Sequence, residues 1–249
     1  MTRTDGRSVD ELRPVIIEPG FTDVPEASVL IRMGRTTVMC TASVEERVPR
    51  WMHSPDNRSG WITAEYAMLP GATAPRFRRE TRGRKGRTFE IQRLIGRSLR
   101  AVADLDKLGP RSIYLDCDVL QADGGTRTAS ITGAYVALAL ACEELRKREM
   151  ITTIPLRDTL AAISCGMVDD RALLDLPYVE DAAADVDMNV VMTGSGRFVE
   201  IQGTGEEATF SDDELSSLLK LAKKGIAELT EIQLAALPQT EAFTHLRGK

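Results

Sequence analysis

Histidine is nearly missing from this chain. Its 249 residues include two, His53 and His245, both in polar segments. That scarcity argues against a histidine-based catalytic triad and against a histidine metal cluster. Cysteine is sparse as well. Cys40, Cys117, Cys142 and Cys165 are scattered, form no Cys-x-x-Cys pair, and each sits in an apolar strand or helix pattern. Buried free thiols are expected, not disulfides or a zinc site. No apolar run approaches the roughly 18 residues that span a bilayer. The opening Met-Thr-Arg-Thr-Asp-Gly-Arg has no apolar core behind it, so no signal peptide and no membrane association are expected, and the compartment expected is the cytoplasm. The Gly-Lys-Ser/Thr ending of a nucleotide-binding loop is missing too, which argues against a kinase or NTPase.

What is present is an ordinary globular composition, 43% hydrophobic and 28% charged, long enough for one large or two small domains. The net charge of −5 is unevenly spread. Residues 76–100 hold ten arginines and lysines against Glu80 and Glu90, a local +8 that leaves −13 for the rest. An acidic chain with one concentrated basic segment can hold a polyanion locally. Residues 76–87 bear glycine and lack apolar periodicity, so they read as a mobile basic loop suited to phosphate backbones.

Alternation of apolar residues predicts strands at 15–17, 27–33 and 36–44, the last two joined by a turn at Gly34-Arg35, and a polar connection over 46–60. A helix is expected to start from a Thr88 cap, with Phe89, Leu94, Ile95, Leu99 and Val102 as its apolar stripe and Arg93, Arg97 and Arg100 opposite. A strand at 112–120 and a helix to about Arg148 follow. The second half repeats this order, with strands at 159–168, 171–176, 185–193 and 197–203, a Gly194-Ser195-Gly196 hairpin, and a helix from about Asp212 to Leu237. The fold class expected is α+β, mixed sheets packed with helices. The chain after Pro238, residues 239–249, reads as a loose, disordered tail.

The most informative stretch is Gln121-Ala-Asp-Gly-Gly-Thr-Arg-Thr-Ala-Ser-Ile-Thr-Gly133. A strand runs into Gly124-Gly125 and a helix starts at once, an arrangement that aims backbone N–H groups at an anion. Arg127 adds a fork of donors suited to phosphate. Taken alone, the stretch reads first as a glycine turn with a threonine cap and only second as an anion site. Asp116, Asp118 and Asp123 precede it and would repel an anion, so they are expected to buttress arginines or turns. Glu180-Asp181-Ala-Ala-Ala-Asp185-Val-Asp187 is rich in carboxylates without His or Cys, which suits a hard ion such as Mg²⁺. Asp185 and Asp187 would share a strand face, and Asp181 would join them only if the chain folds back.

The segment 115–133 closely resembles the ribonuclease PH family of phosphate-dependent 3′-to-5′ exoribonucleases. Three more blocks match in the same order: Gly60–Pro70, Gly86–Arg97 and Tyr178–Thr193. Asp5-Gly-Arg-Ser8 and Glu200-Ile-Gln-Gly-Thr-Gly-Glu206 fit as well. The likeness covers roughly residues 3 to 237. It implies a single ribonuclease PH-type domain of two similar halves over residues 1–238. It also implies a tRNA nucleotidyltransferase that trims the 3′ ends of tRNA precursors, with rRNA a further substrate, using inorganic phosphate as co-substrate and Mg²⁺ as cofactor. By resemblance, Arg87, Gly125, Thr126 and Arg127 hold the phosphate, Asp181 and Asp187 hold the metal, and Arg87, Arg127, Asp181 and Asp187 form the catalytic set. Arg76 and Arg79 match positions that bind tRNA or lie near subunit contacts, and the assembly implied is a homohexameric ring, a trimer of dimers. The alternative is a non-catalytic RNA-binding subunit of an exosome-like ring. Retention of all four catalytic positions favours the enzyme.

Overall fold

The chain is described as a computed structural model covering residues 3, 5–54, 56–81, 83, 86–205 and 208–247. Arg82, Arg84 and Lys85 of the basic segment and Glu206 of the last matching block lie outside the described residues.

The first half contains β1 (Val15–Pro19), β2 (Ala27–Met33), β3 (Thr36–Glu45), β4 (Trp61–Met68), helix α1 (Gly86–Ala101), the short α2 (Leu105–Leu108), β5 (Ser112–Gln121) and helix α3 (Thr126–Lys147). The strands form one sheet in the order β1-β2-β3-β5-β4. All pairs are antiparallel except β4 with β5, which run parallel because α1 carries the chain back between them. The second half contains β6 (Leu160–Val168), β7 (Arg171–Leu174), α4 (Tyr178–Asp181), β8 (Val186–Thr193), β9 (Phe198–Gly205) and α5 (Asp212–Ala236). Its sheet is antiparallel, in the order β7-β6-β8-β9.

Helix α3 runs between the two sheets and is buried nearly all round, which explains its run of small and apolar residues. On one side, a side chain on Gly133 would press on Ile31 and Cys40, 2.7 and 2.9 Å away. On the other, the Thr132 hydroxyl bonds the backbone of Ala162 in β6. Gln233 of α5 ties the layers together by donating to the carbonyls of Thr132 and Leu160. Helix α5 starts with a capping box between Ser211 and Glu214 and packs on the second sheet, with Gly225 lying against Leu174. All four cysteines are buried free thiols.

The structure adds one strand that the pattern did not predict and corrects three expectations. Trp61–Met68 is a strand, with Ile62, Ala64 and Tyr66 on its buried side. Helix α1 begins at Gly86, so Thr88 lies inside it, and the Thr88 hydroxyl donates to Glu80 instead of capping. Phe89 is 51% exposed, and Ile91 takes its place on the apolar stripe, because the buried face is spaced from residue 91 through 94, 95 and 99. Residues 241–246 are not loose. They form a 3₁₀ turn whose three-residue period puts Phe243 and Leu246 side by side in the core. The His245 ring then bonds the Leu156 carbonyl at 2.8 Å, and Arg247 donates to the Leu234 carbonyl.

Candidate active site

The glycine turn is shaped by its neighbours. Gly124 and Gly125 both have positive φ, 74° and 65°, a region glycine enters without strain. A side chain on Gly124 would run into the Leu176 carbonyl oxygen and come within 2.9 Å of the Tyr178 nitrogen. Glycine here therefore lets the chain before α4 pass directly against the turn. Thr36, wholly buried at the start of β3, donates to the Gly124 carbonyl at 2.7 Å and accepts from the Asp123 N–H at 2.9 Å. Gly125 is the N-cap of α3 and offers no side chain to its first-turn N–H groups, which leaves them for a ligand.

A second brace comes from the N-terminal segment. Arg13 grips both carboxylate oxygens of buried Asp175 and reaches the Asp123 carbonyl. Arg3 grips Glu180 of α4 with a closest contact of 2.6 Å and donates to the Leu174 and Asp175 carbonyls. Arg7, from the Asp5–Ser8 block, adds a bond to the Asp175 carbonyl. These charge-assisted contacts fix α4 against the glycine turn. With Glu180 held by Arg3, the next residue, Asp181, lines the cavity that the turn opens onto.

That cavity measures about 510 Å³. Its wall includes Arg87, Gly125, Thr126, Arg127, Asp181 and Asp187, which are all of the sequence-predicted phosphate and metal positions. The first turns of α1 and α3 thus converge with their arginines on one space. The fold-back that Asp181 required is supplied by α4 and Ala182–Ala184, where the Asp185 N–H bonds Met167 before β8 begins. Asp185 is exposed and precedes β8, so it does not share a strand face with Asp187 as expected. Asp181 and Asp187 supply oxygen donors only, a set that fits Mg²⁺ better than zinc. No group of three or more potential ligating side chains among His, Cys, Asp and Glu occurs among the described residues.

Arg127 is held at one end. One of its amino groups lies 3.0 Å from Glu90 of α1 and 2.9 Å from the Gln202 side-chain oxygen of β9. Arg87 is exposed and makes no hydrogen bond or ion pair among the described residues. Buried Tyr66 of β4 meets Thr126 hydroxyl to hydroxyl at 2.9 Å. Burial raises the Tyr66 pKa, against a smaller pull from Arg87 and Arg127, so the phenol stays neutral at physiological pH. Asn189, two residues beyond Asp187, is almost wholly buried in the same wall.

A neighbouring cavity of about 580 Å³ shares Met68, Phe77 and Arg87 with the first, and Asp116, Asp118 and Arg79 line it. Burial raises the Asp118 pKa, and Arg79 opposes that shift. Of the three aspartates expected to act as buttresses, Asp123 supports the turn, accepting from Arg13 and from the Tyr178 N–H. Asp118 lies within electrostatic range of Arg79. Arg79 thus lies beside the first cavity, and Arg76 is exposed in the irregular segment after Pro75.

Glu90, Gln202, Tyr66, Asn189, Arg13 and Thr36 were not picked out from sequence. The first four fall inside blocks that match the ribonuclease PH pattern, which was their only signal. Thr36 and Arg13 carried none.

Profiles of one family match both halves of the chain: "3' exoribonuclease family, domain 1" over residues 11–142 and "domain 2" over residues 158–225. The chain belongs to the 3′ exoribonuclease family. Among its relatives, the protein named ribonuclease PH in Rhodopirellula baltica is 60% identical over 237 residues, covering 93% of this chain and 96% of that one. Ribonuclease PH of Bacillus subtilis is 60% identical over 238 residues, covering 94% and 96%. In fold, the chain is similar to a subunit of the Archaeoglobus fulgidus exosome with RNA bound to the active site, with a TM-score of 0.78, 24% identity and 92% of each chain covered. It is also similar to an archaeal exosome core chain, with a TM-score of 0.73, 21% identity, and 93% and 91% covered.

Proposed function

We propose that this chain is a phosphate-dependent 3′-to-5′ exoribonuclease, a tRNA nucleotidyltransferase that trims the 3′ ends of tRNA precursors. The observation that carries this reading is the single cavity in which Arg87, the Gly125–Arg127 turn, Asp181 and Asp187 meet. The roughly 60% identity to proteins named ribonuclease PH supports it over the reading as an inactive ring subunit.

In the reaction, an oxygen of inorganic phosphate forms a bond to the phosphorus of the terminal phosphodiester. The bond from that phosphorus to the 3′ oxygen of the penultimate nucleotide breaks, and its electron pair stays on that oxygen, which takes up a proton. A nucleoside 5′-diphosphate leaves, and the RNA ends one nucleotide shorter with a free 3′ hydroxyl. Two anions must be held in line, so positioning and cationic stabilisation supply most of the rate. Arg87, the Gly125 and Thr126 N–H groups, the Thr126 hydroxyl and the Arg127 fork hold the attacking phosphate. Asp181 and Asp187 would hold Mg²⁺, which would supply positive charge to offset the negative charge developing in the transition state. No protein nucleophile is needed, because phosphate is itself the nucleophile.

Arg76 and Arg79 contact the tRNA backbone, and the assembly is a homohexameric ring built as a trimer of dimers. A ring brings basic segments of neighbouring subunits together beside each active site, offsetting the repulsion between an acidic chain and RNA. The test is product analysis on a 3′-extended tRNA. Nucleoside diphosphates that form only when phosphate is present are expected, and monophosphates formed without phosphate would show a hydrolase. Light scattering that finds an active 27 kDa monomer would contradict the ring.

A further inference from the structure

We infer that Glu90 is a positioning residue, acting with Gln202 to turn the guanidinium of Arg127 so that its free edge faces the phosphate. This rests on the reading of Arg127 as a phosphate contact. The geometry is a closed triangle. One Arg127 amino group has two hydrogens, and each has its own acceptor: Glu90 Oε1 at 3.0 Å and Gln202 Oε1 at 2.9 Å. The Gln202 amide nitrogen donates to the same Glu90 oxygen at 3.3 Å. That third bond orients the amide, because it turns the Gln202 oxygen, not its nitrogen, toward the arginine. Without Glu90 the amide is free to flip and present a donor to a guanidinium that has only donors.

The occupied amino group leaves Nε–H and the other amino group without an acceptor among the described residues. Those two groups form one flat edge of the guanidinium, with parallel donors that match two oxygens of a phosphate. Arg127 lies in the cavity wall beside Gly125 and Thr126, so a locked fork presents this edge to the anion in a fixed direction. The triangle also joins the two halves of the molecule. Glu90 is one helical turn past Arg87 in α1, Arg127 opens α3, and Gln202 lies in β9 opposite Asn189 of β8.

Electrostatics alone would assign Glu90 the opposite effect. A carboxylate near a phosphate site repels the ligand, so its removal would tighten phosphate binding. The positioning account requires removal to weaken it. Glu90 is 43% exposed on its side chain, so the ion pair adds little to stability and a variant folds.

The test is steady-state phosphorolysis of a short oligonucleotide by Glu90→Ala, Glu90→Gln, Gln202→Ala and the double alanine variant, with thermal melting to verify folding. Glu90→Ala is expected to raise KM for inorganic phosphate about tenfold, leaving KM for RNA and kcat at saturating phosphate within about twofold of the parent. Glu90→Gln retains an acceptor oxygen and should restore most of the phosphate affinity. The double variant should be less than additive, because both residues serve one orientation. Unchanged or lowered KM for phosphate in Glu90→Ala, or a loss falling on KM for RNA, would overturn the inference. Arg127→Ala separates the two readings: if it leaves KM for phosphate unchanged, the phosphate role of Arg127 fails first.

Discussion

Arg13 and Asp175 meet as a buried fork-to-fork pair, with Nε and one amino group of the arginine 3.0 and 2.7 Å from the two carboxylate oxygens. The pair closes a strained corner, since Asp175 has a positive φ of 54° and begins the segment that passes over Gly124. Arg13→Met keeps most of the side-chain volume but leaves Asp175, among the described residues, with only Arg7, 3.7 Å away, as a cationic partner. A loss of about 3–5 kcal/mol is expected, the usual cost of leaving one buried partner behind. Urea unfolding that shows a loss below about 1 kcal/mol would contradict this role.

Alkaline pH should destabilise the fold through its thiols. Burial pushes Cys142 and Cys165 from the usual 9.0 up to about 12. A raised folded pKa gives stability that is complete below pH 9 and lost as pH rises toward 12, because the unfolded chain releases these protons first. By pH 10 the loss is roughly 1–1.5 kcal/mol per thiol. Thermal melting between pH 8 and 10.5 checks this. The Cys142→Ala, Cys165→Ala double variant should show a shallower fall, and an identical fall would refute the assignment.

Asp187→Asn should cut phosphorolysis by roughly 30- to 1000-fold, the range for losing one group that stabilises the transition state. Excess Mg²⁺ should rescue it poorly, and RNA binding should survive. Wild-type rates would remove Asp187 from the metal site.

Charge reversal at Arg76 and Arg79 should weaken tRNA trimming much more than phosphorolysis of a short oligonucleotide. The gap should widen as salt falls, because wild-type contacts to the phosphate backbone strengthen at low salt. Equal effects on both substrates, independent of salt, would place these arginines outside the tRNA contact.

The strands with one buried face were legible because alternation marks them, as in β3 and β5. β4 was missed because its outward positions, Trp61 and Ala67, hide the alternation of Ile62, Ala64 and Tyr66. The turns at Tyr178–Asp181 and Glu241–Leu246 are too short to show a period. In the site, spacing exposed the turn and its arginine, but the partners of Arg127 lie 37 and 75 residues away in sequence. Such contacts exist only once α1 and β9 have packed, so nothing local announces them. Asp185 misled because DxD spacing suggests one strand face, whereas β8 starts after it.

The most direct measurement follows the phosphorus atom. The enzyme is given unlabelled RNA and ³²P-labelled inorganic phosphate, and the released nucleotides are separated. Phosphorolysis predicts that the label enters nucleoside diphosphates at the β position, one labelled phosphate for each nucleotide removed. Nucleotides released without label, at the same rate whether or not phosphate is supplied, would contradict the account.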